Sequence, residues 1–289
     1  MKLIGTGLNG LIGTRIVKLL SEKYTFKNLS RSNGVDITDY NSVKKALSAS
    51  DSNTLIHLAA YTDVKGAEEE KALKEDSQSY KINVLGTKNV ARACQETGKK
   101  LIYFSTDMVV GGENMPDGGF KEDANYNPLS WYAQTKYEAE KIVRELPTPW
   151  LIMRLAYPYR ASFEKLDFVR LFIKILTDGT QITALTDRII SPTFIDDIAN
   201  ALDVLIKKDS KGIYNIVGSE ILSIYDAAIL ITKIFNLDSL LVHKITRKEF
   251  LIGRPPEPFS SALNNDKIQK LGVGMNSFQA GLNIIKKQL

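Results

Sequence analysis

Short apolar runs alternate with longer stretches in which apolar positions recur every three or four residues along the first half of the chain. The runs at 2–6, 26–29, 54–58, 101–104 and 151–154 are the length of buried strands. Between them, the spacing at 11–22, 42–48, 80–97 and 130–146 predicts amphipathic helices, the third stopping at Gly98. Strand and helix in strict alternation predict an α/β fold, a Rossmann-type doubly wound parallel sheet covered on both faces. Beyond Tyr157 the rhythm loosens into a helical stretch at 163–176, a return at 192–207, a strand at 213–217 and further helices. The expected division is a dinucleotide-binding domain over 1–157, joined by 187–217, with a smaller substrate-binding lobe from 158–186 and 218–289. Open α/β sheets bind ligands beyond the carboxyl ends of their strands, so a lobe there would close a cleft over a cofactor.

With 289 residues, 44% of them hydrophobic, the chain can bury a full core, and its 25% charged residues are of both signs and well scattered. No apolar run reaches the roughly 20 residues that span a bilayer, and Lys2-Leu3-Ile4 enters a strand directly. A soluble, cytoplasmic protein with no membrane association is expected. Cys94 is the single cysteine, which leaves no internal disulfide and suits a small buried hydrophobe; no ligand cluster compels a metal. The net charge of +5 would attract an anionic ligand, yet the bases are interleaved with acids, so no nucleic-acid partner is indicated. Glu68-Glu69-Glu70-Lys71 reads as the solvated face of a helix. No internal repeat is visible.

The segment Gly5-Thr6-Gly7-Leu8-Asn9-Gly10-Leu11-Ile12-Gly13 follows the first strand and opens the first helix. A dinucleotide pyrophosphate must approach backbone N–H groups at a helix N-terminus with no Cβ in the way, which glycine allows. Two registers compete: Gly5, Gly7 and Gly10, or Gly7, Gly10 and Gly13. The second is favoured because it sets Gly13 one turn inside the helix, where a small residue permits close packing. Cofactor choice turns on the end of the second strand. There Arg31 offers a planar, permanently charged fork to a 2′-phosphate, which favours NADPH, with NADH as the alternative.

Ser105-Thr106-Asp107 ends an apolar strand, and Tyr132-Ala133-Gln134-Thr135-Lys136 opens a helix. Four-residue spacing stacks the phenol of Tyr132 and the ammonium of Lys136 on one helical face, so the ammonium can lie near the phenol and the cofactor ribose together, and Ser105, Tyr132 and Lys136 are expected to contact the cofactor as well. A nearby cation stabilises a phenolate and would lower the phenol's ordinary value of about 10. In a reduction, Tyr132 would donate a proton to a carbonyl oxygen held by the hydroxyl of Thr106 or Ser105.

Taken together, these blocks resemble the extended short-chain dehydrogenase/reductase family, and within it the dTDP-4-dehydrorhamnose reductase branch. The resemblance spans nearly the whole chain. It implies that Asp36 and Ile37, in Val35-Asp36-Ile37-Thr38-Asp39, flank an adenine, and that Leu58, Ala59, Ala60 and Tyr61 line the nicotinamide ribose. Phe120-Lys121-Glu122-Asp123 and Asn127-Pro128-Leu129-Ser130-Trp131-Tyr132 are similar to the family's approach to its tyrosine. Ser191-Pro192-Thr193-Phe194 with Asp196-Asp197-Ile198-Ala199 matches a further block, and Arg254-Pro255 with Ser261-Ala262-Leu263 resembles its substrate segment. By that resemblance Asp107, Met108, Tyr157 and Arg254 contact substrate. The departures fall on the substrate side: Lys65 stands where the family has aspartate, Met108 where it has tyrosine, Gly111 where aspartate is common, and Tyr157 where it has tryptophan.

The implied activity is NADPH-dependent reduction of a nucleotide-linked 4-keto-6-deoxysugar, by an enzyme that the resemblance allows to be a homodimer. Dehydratases of the same fold carry an acidic pair after the threonine, and here Met108 follows Asp107, which disfavours dehydration. Epimerases need the same tyrosine, and NADPH preference weighs against them. A rival of a different class is a non-catalytic NADP-binding subunit like the regulatory one of methionine adenosyltransferase.

Overall fold

The computed structural model describes residues 1–252 and 260–289. The chain divides into two compact units, the first made of Met1–Val109, Pro128–Arg154 and Leu202–Tyr214 and the second of Val110–Asn127, Leu155–Ala201 and Asn215–Leu289.

In the first unit the strands are β1 (Lys2–Thr6), β2 (Thr25–Leu29), β3 (Thr54–His57), β4 (Lys100–Thr106), β5 (Trp150–Leu155) and β6 (Gly212–Asn215). They form one parallel central sheet in the order β6-β5-β4-β3-β1-β2. β1 pairs in parallel with β2 on one side and with β3 on the other, so the direction of winding reverses between β1 and β3. That reversal opens a crevice beyond the carboxyl ends of the two strands, the place where open α/β sheets receive a ligand. Only β2 lies outside β1, and its alternating exposure marks an edge strand, whereas β3 is buried throughout.

The helices of this unit are α1 (Gly13–Leu20), α2 (Tyr40–Ser48), α3 (Val64–Glu69), α4 (Gln78–Tyr80), α5 (Thr87–Glu96) and α6 (Trp131–Arg144). Local chemistry sets their ends: the Asp39 carboxylate accepts from Asn41 N at 2.9 Å ahead of α2, and Ser130 Oγ accepts from Ala133 N at 3.2 Å ahead of α6. Beyond α5, Gly98 turns left-handed at φ +64°, as a C-terminal stop requires. The single helix predicted over 80–97 is interrupted by a π-helical turn at Lys81–Gly86. Buried Asn83 lies in that turn, its side chain bonded to both backbone groups of Tyr61, a tertiary tie that periodicity does not reveal. Ile4, Leu55, Leu101 and Ile152 of the sheet pack with Val43, Val90 and Val143 of the helices, and Cys94 is buried among them.

The second unit has its own aromatic core, in which Tyr159, Phe168, Phe194 and Phe278 meet ring to ring, Tyr159 and Phe278 at 5.2 Å. Its first long helix runs Phe168–Thr177 and not from 163, because the Asp167 carboxylate accepts from Arg170 N at 3.0 Å and starts the helix there. The predicted return at 192–207 contains the helix Ile195–Lys207. Among the described residues, no helix is long and apolar enough to cross a membrane.

Candidate active site

The loop after β1 and the segment after β3 flank the crevice and touch one another. Leu58 N donates to Thr6 O at 3.0 Å, and a Cβ on Gly7, whose φ is +71°, would stand 2.5 Å from Ala59 N. Gly10 N closes the turn on Gly7 O at 3.1 Å, and a Cβ on Gly13 would lie 2.5 Å from Gly7 O and Leu8 Cα. No side chain fits at Gly7 or Gly13, so the loop is held flat against β3 by backbone contact. Asn9 at its tip is exposed, while Gly10, Leu11 and Ile12 are half-buried and Leu58, Ala59, Ala60 and Tyr61 line the facing segment, also half-buried. This is a cradle of main chain that a Cβ would fill, which suits a dinucleotide pyrophosphate.

Past β2, exposed Arg31 donates through Nε to Asp36 Oδ2 at 2.9 Å. Asp36 Oδ1 also accepts from Thr38 N at 2.9 Å and Thr38 Oγ1 at 2.8 Å. Burial raises the Asp36 carboxyl, but these bonds outweigh it and hold the group below its ordinary range. Ile37, the next residue, is buried, its carbonyl accepting from Asn89 Nδ2 at 2.9 Å.

At the carboxyl end of β4, Ser105, Thr106 and Asp107 are buried, and Met108 beyond them is half-buried. Tyr132 and Lys136 lie buried on the inner face of α6. Thr106 lies beside the Tyr132 phenol, so the strand end and the helix meet at the predicted pair. Thr106 Oγ1 also donates to Asp107 Oδ1 at 3.0 Å. Ser105 Oγ is buried with no hydrogen-bond partner among the described residues, an orphaned hydroxyl at the strand end that fits a polar ligand. Lys136 Nζ donates to Phe104 O at 2.8 Å and lies 4.2 Å from the centre of the Tyr103 ring.

The electrostatics correct one expectation. Burial pushes the Tyr132 phenol above its ordinary value and Asp107 pushes it further, with Thr106 opposing. Burial also brings Lys136 down to about 7, against the opposing pull of Glu140. The phenol is thereby kept protonated at neutral pH, as a proton donor must be.

Several residues around the site carry no sequence signal as strong as the tyrosine and lysine. Buried His57 at the end of β3 bridges Thr6 Oγ1 at 2.6 Å and Thr87 Oγ1 at 3.1 Å, and burial, reinforced by Lys136, holds it neutral with a pKa of about 3. Asn83 Nδ2 donates to Thr135 Oγ1 at 3.0 Å on the helix that bears Tyr132. The acidic run at 68–70 is more than a solvated face. Glu68 Oε2 accepts from Trp131 N at 2.7 Å, immediately before Tyr132, and Glu70 Oε2 accepts from Gln78 N at 2.7 Å.

In the second unit, Tyr157 takes a positive φ of 43°, uncommon for a bulky residue, and its hydroxyl accepts from Arg188 Nη2 at 3.4 Å. Arg254 and Pro255 lie outside the described residues. Lys65 is exposed and pairs with Glu69 at 3.7 Å. Among the described residues, no group of three or more His, Cys, Asp or Glu side chains could hold a metal ion.

The sequence matches the RmlD substrate binding domain family over residues 1–289. It is 27% identical to a dTDP-4-dehydrorhamnose reductase of Aggregatibacter actinomycetemcomitans, over 99% of this chain and 98% of that protein. It is 26% identical to methionine adenosyltransferase 2 subunit beta of Xenopus tropicalis, over 96% of this chain and 84% of that protein. Among solved structures, dTDP-4-dehydrorhamnose reductase from Bacillus anthracis in complex with NADP superposes with a TM-score of 0.89 at 29% identity, covering 100% of this chain and 99% of that one.

Proposed function

The chain belongs to the RmlD substrate binding domain family, and from that membership we infer that it is an NADP-dependent oxidoreductase of the extended short-chain dehydrogenase/reductase type. Its substrate is a nucleotide-linked 4-keto-6-deoxysugar, and its reaction is that of a dTDP-4-dehydrorhamnose reductase. One observation carries the reading: Tyr132 and Lys136 are buried on one face of α6, with Thr106 at the carboxyl end of β4 beside the phenol.

NADPH, when bound, supplies the hydride that reduces the ketone. Gly7, Asn9, Gly10, Leu11, Ile12 and Gly13 would hold its pyrophosphate, Arg31 its 2′-phosphate, Asp36 and Ile37 its adenine, and Leu58, Ala59, Ala60 and Tyr61 its nicotinamide ribose. Tyr132 gives its proton to the ketone oxygen; the raised pKa keeps the phenol protonated and makes it a weaker acid, so the phenolate that forms needs the support of Lys136. Thr106 and Ser105 orient that oxygen, the latter with a hydroxyl that spends no hydrogen bond on its described neighbours. Lys136 offsets the negative charge left on the phenol, a stabilisation made stronger by burial. Asp107 and Met108, next in the chain, would meet the sugar.

Purified protein given NADPH and dTDP-4-dehydro-6-deoxy-L-mannose should oxidise the cofactor. Tyr132→Phe should cut kcat by about 100- to 10,000-fold while leaving NADPH affinity intact, because only the proton donor is lost. NADPH binding with no turnover in the unaltered protein would favour instead a non-catalytic role like that named for the methionine adenosyltransferase subunit.

A further inference from the structure

The helix that carries the tyrosine and lysine holds a third charged group on the same face. Tyr132, Lys136 and Glu140 follow one another at four-residue intervals along α6, and all three are buried. Glu140 is fully buried, and so is Arg154 on β5, which grips it through Nε to Oε1 at 3.0 Å and Nη2 to Oε2 at 2.8 Å. A fork-to-fork pair of this kind fixes the rotation of the helix against the strand.

It also divides a charge. Two buried cations, Lys136 and Arg154, draw on one buried carboxylate, and the guanidinium, which never deprotonates, holds both oxygens. Lys136 therefore shares its carboxylate with a guanidinium, and the support it draws from Glu140 is smaller than the cost of burial. The other groups around the ammonium add little to offset it. On β4 these are the Tyr103 ring and the Phe104 carbonyl, and on β3 the neutral imidazole of His57; on α6 itself it is the phenol of Tyr132, which Asp107 beyond β4 faces.

We propose that Glu140 and Arg154 are positioning residues for Lys136, the buried pair metering how much negative charge reaches the lysine and so the pH up to which it works as a cation. The proposal rests on the assignment of Lys136 to the cofactor and phenol, and its test can fail separately from that assignment.

The test is the alkaline limb of NADPH affinity and of kcat against pH, in the full-length protein and in variants at the two positions. Glu140→Gln removes the carboxylate and leaves the arginine to repel the lysine, so the limb should move down by about one pH unit or more. Arg154→Met leaves the carboxylate to Lys136 alone, so the limb should move up by a similar amount. Opposite shifts separate charge metering from lost packing, which would lower thermal stability in both variants and move neither limb. Either single change leaves a buried charge without its partner, so the doubly neutral Glu140→Gln/Arg154→Met chain is included as the variant that keeps the fold. Its limb should lie below that of the unaltered protein, since Glu140, one turn along the same helix face, is the charge that raises Lys136. A limb unmoved in the double variant, or moved the same way in both single ones, overturns the proposal. Absence of any lysine-dependent limb in the unaltered protein would instead overturn the assignment of Lys136.

Discussion

Arg31 reaches along the chain to Asp36, Nε to Oδ2 at 2.9 Å, and so spends its Nε on a neighbour while its terminal nitrogens make no hydrogen bond among the described residues. The pair is solvent-exposed, with side chains 67% and 37% accessible, where an ion pair adds little to stability. Its consequence is for binding. Arg31→Ala should weaken NADPH by about 10- to 100-fold, the worth of one or two charge-assisted hydrogen bonds, and leave NADH nearly unchanged. Asp36→Asn removes the competing anion and should strengthen NADPH relative to NADH. Titration of both cofactors into each variant decides the matter, and equal weakening of the two by Arg31→Ala would remove the 2′-phosphate role.

Glu68 performs a service that its acidic neighbourhood hides. Its carboxylate accepts from Trp131 N at 2.7 Å and so satisfies an amide at the start of α6, one residue before Tyr132, while Trp131 Nε1 donates to Ser77 Oγ at 3.0 Å. Removing a hydrogen bond to a charged acceptor in a largely buried place costs about 1.5–3 kcal/mol. Glu68→Ala should therefore lower the unfolding free energy by that amount, read as an earlier denaturation midpoint, and reduce kcat through loosened placement of Tyr132. Glu69→Ala, at an exposed neighbour, supplies the control, and identical behaviour of the two would show the capping contact to be idle.

What the sequence made legible follows from how local each signal is. The glycine loop could be read because tight turns and flat backbone contact admit one residue type, and Gly7 and Gly13 stand where a Cβ has no room. Tyr132 and Lys136 could be read because helix geometry converts spacing into a shared face. By contrast, the π turn at Lys81–Gly86, the cap from Glu68 and the Glu140–Arg154 pair join segments distant along the chain, and nothing in a short window announces them. The expected lowering of the Tyr132 phenol failed for a related reason: proximity to Lys136 was visible in the spacing, but the burial that outweighs it is a property of the packed unit.

Lys136 gives the folded protein a characteristic pH response. Its folded value of about 7 lies below the ordinary 10.5, with burial the cause. Below about pH 7 both folded and unfolded chains carry the proton, and the cost of burying the charge is borne in full. Between the two values the unfolded chain holds a proton that the folded one has shed, so this residue's contribution to stability rises with pH through that window. Lys136→Met should be more stable than the unaltered chain near neutrality, with the gap narrowing as pH climbs. His57, at about 3 against an ordinary 6.5, acts in a lower window and does not interfere. Denaturant titrations at a series of pH values from about 7 to 10 test this, and a constant gap would mean that the lysine keeps its proton in the fold.

The two inner glycines of the first turn differ in a way that a pair of substitutions can expose. A Cβ at Gly13 would meet Gly7 O and Leu8 Cα at 2.5 Å, both main-chain atoms that cannot swing aside, whereas at Gly10 the nearest atom is Gly7 O at 3.3 Å. Gly13→Ala must therefore push α1 away from the loop or open the turn, and either movement disturbs the cradle laid against Ala59. Overpacking of this kind costs about 1–3 kcal/mol, so the variant should fold with a lowered midpoint and lose most of its affinity for NADPH. Gly10→Ala needs a shift of only a few tenths of an ångström and should keep the fold's stability; any loss of affinity it shows then measures how closely the pyrophosphate approaches the main chain there. Thermal melts with and without NADPH separate the two effects, and a Gly13→Ala protein that melts and binds like the unaltered chain would show that the turn is not held by the contact described.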